Sequence, residues 1–143
     1  MVIALFGESC TGKSTLAALL KAALGADVYT GKDYQRLAKN ETEARQKFTE
    51  LLRDPAKNSV YVITEKEHLS LLPDGCLRVL VTAELPVIQQ RFSARMGGKL
   101  PAPVAAMLEK KHGAFDNVPH DLHVDGTETP EAAAARILAA IDA

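Results

Sequence analysis

Apolar residues fall along this chain in two alternating rhythms. Val2 to Phe6 is a short unbroken apolar run, the pattern of a strand buried on both faces of a parallel sheet. Further β-like runs follow at "DVYT", "SVYVIT", "RVLVT" and "DLHVD". Between them the spacing becomes helical: Leu16, Leu19, Leu20, Ala23 and Leu24 after the first run, Ala44, Phe48, Leu51 and Leu52 later, and Ala134, Ile137, Leu138 and Ile141 near the end. Thr129 is placed to cap the last helix, with Pro130 in its first turn, where a missing N–H costs nothing. Strands alternating with helices predict an α/β domain in three layers, a five-stranded parallel sheet flanked by helices.

Two stretches depart from that alternation. Residues 31–59 are polar and helical, with Asn40 and Glu43 spaced as a capping box, and contain more chain than one crossover needs. Residues 97–103, "GGKLPAP", follow a helix with two glycines and two prolines, which predicts a mobile or irregular loop.

Composition narrows the function classes. A chain of 143 residues is sized for one domain, and a formal net charge of −1 gives no field that would draw it to nucleic acid or an anionic membrane. Any anion it binds must be held locally. The two cysteines, Cys10 and Cys76, in a chain whose opening apolar run is too short for a signal peptide, predict free thiols and a cytoplasmic setting. The most apolar helical stretch, Leu16 to Leu24, is interrupted by Lys21 and falls well short of the roughly 20 residues that span a bilayer.

The local anion site is legible at residues 7–15, "GESCTGKST". Gly7, Gly12, Lys13 and Ser14 match G-x-x-x-x-G-K-[ST], with an apolar strand before and an amphipathic helix after. Gly7 and Gly12 permit backbone angles that aim successive N–H groups at phosphate oxygens. The helix N-terminus adds its dipole, Lys13 reaches the β and γ phosphates, and the Ser14 hydroxyl is a ligand for Mg²⁺. Glu8, Ser9, Cys10 and Thr11 fill the variable positions, and Thr15 packs near the α-phosphate. The expected ligands are ATP and Mg²⁺. An N-K-x-D guanine reader is absent, which argues against a GTPase.

In its order of elements the chain resembles the small P-loop kinases, the nucleoside monophosphate kinases (adenylate and cytidylate kinase) together with shikimate kinase. The resemblance implies a phosphoryl acceptor held by residues 31–59, with Gly31, Asp33 and Arg36 of "TGKDYQR" at the acceptor site. Arg36 would clamp an acidic group, and Asp33 would accept a hydrogen bond from an acceptor hydroxyl or cap the helix that follows. It also implies that Arg91 and Arg95 of "RFSARMGGKLP", on one helix face, spread charge on the transferring phosphoryl group, and that 97–103 is a short lid over the nucleotide. Gly126 and Thr127 would present backbone groups to the adenine base.

The pattern breaks after the third strand. "SVYVITEKE" carries no aspartate there, leaving Glu65 as the candidate carboxylate for the metal's water shell. His120 and His123, three residues apart on a strand, are expected to face opposite sides, and His68 and His112 to be ordinary surface residues. The sequence therefore predicts a kinase of nucleoside monophosphates, with a kinase of a hydroxylated metabolite of the shikimate or gluconate kind, or a non-catalytic ATP-binding sensor, as rivals.

Overall fold

The computed structural model describes residues 1–30, 33, 40–52 and 57–142. Strand β1 is Val2–Phe6, β2 Asp27–Tyr29, β3 Ser59–Ile63, β4 Leu77–Val81 and β5 Leu122–Val124. The described helices are α1 (Lys13–Leu24), α2 (Glu41–Leu52), α3 (Leu85–Arg95), α4 (Ala102–Lys111) and α5 (Pro130–Asp142), with a 3-10 segment at Lys66–Leu71.

The five strands form one sheet in the order β2-β3-β1-β4-β5, and every pairing is parallel. The first strand therefore lies in the middle. Phe6 pairs with Ile63 on one side and Leu80 on the other, so the chain leaves β1 between the ends of β3 and β4. The crossovers run outward in opposite directions from this point, and in open α/β sheets ligands bind at such a switch, beyond the carboxyl ends of the strands.

Alternation along β1 feeds two cores. Ile3 and Leu5 pack with Leu16, Ala17 and Leu20 of α1 and with Ala133, Ala134 and Ile137 of α5. Val2, Ala4 and Phe6 face the opposite layer, against Ala44, Phe48 and Leu52 of α2 and against Phe115. A strand buried on both faces needs no polar side, which is why its run is unbroken. A third cluster, Cys10, Ala83, Ile88 and Leu108, packs the α3–α4 pair against the loop after β1.

The caps read from sequence are in place. Asn40 Oδ1 accepts from the Glu43 N–H at 2.8 Å, and Thr129 Oγ1 accepts from the Ala132 N–H at 3.1 Å. Residues 97–103 differ from expectation: Gly97 and Gly98, with φ of 81° and 91°, close the end of α3, and Ala102 and Pro103 already belong to α4. Proline is tolerated in a first helical turn because its missing N–H would have no partner there.

Candidate active site

Residues 7–12 leave β1 as a loop whose first position has room only for glycine. The Gly7 N–H donates to the Ile63 carbonyl at 3.2 Å, and a Cβ on Gly7 would lie 2.1 Å from the Val81 carbonyl oxygen. No other residue fits between β3 and β4 at that height. Gly12 turns the chain into α1 at φ 99°, and its carbonyl accepts the Leu16 N–H at 3.1 Å. Cys10 is left-handed as well, at φ 63°, and is only 5% exposed because it packs under α3 and α4. Thr11 Oγ1 donates to the Glu8 carbonyl at 2.9 Å and braces the loop from within.

Lys13 opens α1 and turns its side chain back over the loop. Its Nζ donates to the Gly7 carbonyl at 2.9 Å, to Thr11 Oγ1 at 3.3 Å and to the Glu8 carbonyl. The residue is 5% exposed, and these neutral acceptors are its only hydrogen-bond partners among the described residues. Burial is the main cause that lowers its pKa from the ordinary 10.5 to about 8, and the nearby Arg95 acts in the same direction. Cys10 and Glu8 offset the shift in part, and among the described residues no carboxylate hydrogen-bonds this ammonium, an arrangement that can accept an incoming anion.

That shift carries a sign for stability. Between about pH 8 and 10.5 the unfolded chain holds a proton at Lys13 that the folded chain has released, so stability rises with pH across this window. At about 1.4 kcal/mol per pH unit the full effect is on the order of 3 kcal/mol. Urea unfolding from pH 7.5 to 10 is expected to show this rise in the wild type and to lose it in Lys13→Met; equal slopes in the two proteins would contradict the burial of the charge.

The arginines of α3 meet the same loop. Arg91 Nη1 donates to the Cys10 carbonyl at 2.9 Å, holding the strained residue in place. Arg95, one turn later, lines a cleft of about 120 Å³ with Ser9, Gly12, Lys13, Ser14 and Thr64. The structure thus brings Lys13, Ser14, Arg91 and Arg95 around the loop. This arrangement of loop N–H groups, helix N-terminus and three cations can hold a polyphosphate and spread its charge.

Other residues singled out from sequence lie elsewhere. Glu65 is exposed, precedes the 3-10 segment and does not line this cleft; Thr64 does. Asp33 Oδ2 accepts from the Thr30 N–H at 2.7 Å and from the Thr30 hydroxyl at 3.2 Å, the geometry of a capping carboxylate, which leaves Oδ1 for another donor. Gly31 and Arg36 lie outside the described residues. Mg²⁺ is usually held by one or two carboxylates besides phosphate oxygens, and the described cleft offers it hydroxyls alone. Among the described lining residues the donor set includes the Ser14 hydroxyl and lacks the carboxylate with which a protein usually supports Mg²⁺.

A second cleft, of about 580 Å³, begins at Glu8 and runs past Glu84 to Gly126 and Thr127 at the end of β5. It shares no lining residue with the first. Three histidines meet there, correcting the sequence reading. His120 precedes β5 and does not follow its alternation, so its ring stands 6.1 Å from that of His123 and both line the cleft. His112 Nδ1 lies 3.0 Å from Glu8 Oε1, a contact between the end of α4 and the loop that nothing local in the sequence signals. Among the described residues no group of three or more His, Cys, Asp or Glu is placed to hold a metal ion, and no described helix is long and apolar enough to cross a membrane.

No family model and no curated protein matches the chain by sequence. Solved structures do match by fold. The YorR protein of Bacillus subtilis, solved in complex with phosphorylated GDP, superposes with a TM-score of 0.71 at 18% identity, over 99% of this chain and 96% of that one. A gluconokinase from Sinorhizobium meliloti 1021 gives 0.64 at 15%, over 96% and 93%. The shikimate kinase of Aquifex aeolicus gives 0.60 at 17%, over 99% and 96%. With its five parallel strands and glycine loop, the chain has the three-layer α/β P-loop fold that these structures share.

Proposed function

We propose that this protein is an ATP-dependent phosphotransferase acting on a small molecule. The observation that carries the reading is Lys13: a buried ammonium over a glycine loop, bonded only to neutral oxygens, at the switch point of the sheet. Phosphate oxygens would replace the Gly7 and Glu8 carbonyls as its partners. Arg95 would meet the transferring group from across the cleft, while Arg91 would fix the loop through Cys10. Phosphoryl transfer asks little more of a protein than positioning and charge stabilisation. Asp33, through Oδ1, and Arg36 would orient the acceptor, and Gly126 with Thr127 would border the base.

The fold likeness to a gluconokinase, a sugar kinase and shikimate kinases favours a hydroxylated metabolite over a nucleoside monophosphate as acceptor.

ADP release from ATP, measured with polyols, sugar acids and nucleoside monophosphates, tests both levels. Stimulation by at least tenfold with a hydroxylated metabolite is expected. Stimulation by a nucleoside monophosphate instead would reverse the acceptor preference, and tight ATP binding with slow release under every acceptor would turn the reading to a nucleotide sensor.

A further inference from the structure

Among the described residues that line it, the cleft beside Lys13 has no acid. Its side-chain oxygens are the hydroxyls of Ser9, Ser14, Thr15 and Thr64, and its charged groups are Lys13 and Arg95. Thr64 takes the decisive position. It follows directly on Ile63, whose carbonyl receives the Gly7 N–H, so it stands beside the start of the loop and lines the cleft together with Ser14. Glu65, one residue on, is exposed and is not among the lining residues of the cleft.

Asp33, the described carboxylate that follows β2, is occupied by Thr30 through Oδ2. The neighbouring undescribed positions, 31–32 and 34–39, contain no aspartate or glutamate in their sequence. Among the described residues, then, the carboxylate that follows β2 is engaged through one oxygen by Thr30 and is not among the lining residues of the cleft.

Resting on the reading of the loop as a nucleotide site, we propose that this chain binds its nucleotide without needing a divalent cation, with Lys13 and Arg95 neutralising the phosphates and Thr64 as the residue that sets this property. A carboxylate at position 64 would face the phosphates, repel them and make binding depend on a cation placed between. The neutral Thr64 hydroxyl neither repels phosphate nor recruits metal.

Calorimetric titration of the full chain with ADP, once with Mg²⁺ and once with EDTA, tests this on binding alone. For the wild type the two dissociation constants are expected to agree within about fivefold. In Thr64→Asp, affinity in EDTA is expected to fall by at least tenfold and to be recovered by Mg²⁺, while Thr64→Asn, neutral and similar in size, keeps the wild-type ratio. A wild-type ratio well above fivefold would overturn the proposal, and so would a Thr64→Asp protein that remains indifferent to Mg²⁺. Should Thr64→Asp not fold, the wild-type ratio alone decides. Failure of the wild type to bind ADP under either condition would instead refute the nucleotide site itself.

Discussion

Lys13→Ala is expected to reduce acceptor-dependent ADP release by about 10³-fold while leaving the unliganded fold at least as stable as the wild type. The two halves of this result share a cause. In the absence of nucleotide the ammonium is buried, with its pKa lowered to about 8, so the folded chain carries a charge it would rather not have. Removing it relieves that cost and sacrifices only bonds to the Gly7 and Glu8 carbonyls and the Thr11 hydroxyl. Once phosphate is present the same charge becomes the closest compensation for the negative oxygens, and most so as the phosphoryl group is in transit. Turnover with the best acceptor and a thermal unfolding curve check the two halves separately. A variant that keeps a tenth of wild-type turnover would exclude this loop from the chemistry; one that unfolds at markedly lower temperature would show that Lys13 is structural.

Gly7→Ala is expected to cost about 3 kcal/mol of stability or more and to abolish nucleotide binding. The added Cβ would lie 2.1 Å from the Val81 carbonyl oxygen, which belongs to β4, and Val81 is only 2% exposed. Either β1 and β4 separate at the carboxyl end of the sheet or the loop lifts away from β3 and loses its hydrogen bond to the Ile63 carbonyl. Gly12→Ala separates clash from torsion. Its new Cβ would have no neighbour closer than Arg91 Nη1 at 4.0 Å, so only the backbone strain of φ 99° remains, roughly 1–2 kcal/mol. Urea midpoints of the two variants should differ clearly, with Gly7→Ala the lower; equal midpoints would mean that the loop enters the sheet differently.

The strands and the first loop were legible because their signals are local. A strand between two layers of helices must be apolar at every position, and Val2–Phe6 is; a loop that wraps phosphate needs glycine at its two ends, and Gly7 and Gly12 stand there. The caps at Asn40 and Thr129 are similarly short-range, each satisfied by an N–H three residues on. Helix α4 and the 3-10 segment carry weaker signals. "APVAAMLEKK" is small and proline-flanked, with a single fully buried position, Leu108, so its period barely shows.

What the sequence determined by itself was the strands of the sheet and the glycine loop, because periodicity and backbone torsion are properties of neighbouring residues. Only the tertiary structure decided which distant groups join them. Arg91 reaches the Cys10 carbonyl from 81 positions away, and His112 reaches Glu8 from 104. Thr64 lines the cleft beside Lys13 where Glu65 was the expected carboxylate, because the side on which a residue falls depends on where its strand ends beside β1. The meeting of His120 and His123 in one cleft follows from β5 beginning only at Leu122. Each of these outcomes turns on strand order and strand ends, set by packing of both layers at once, and no stretch of neighbouring residues encodes that.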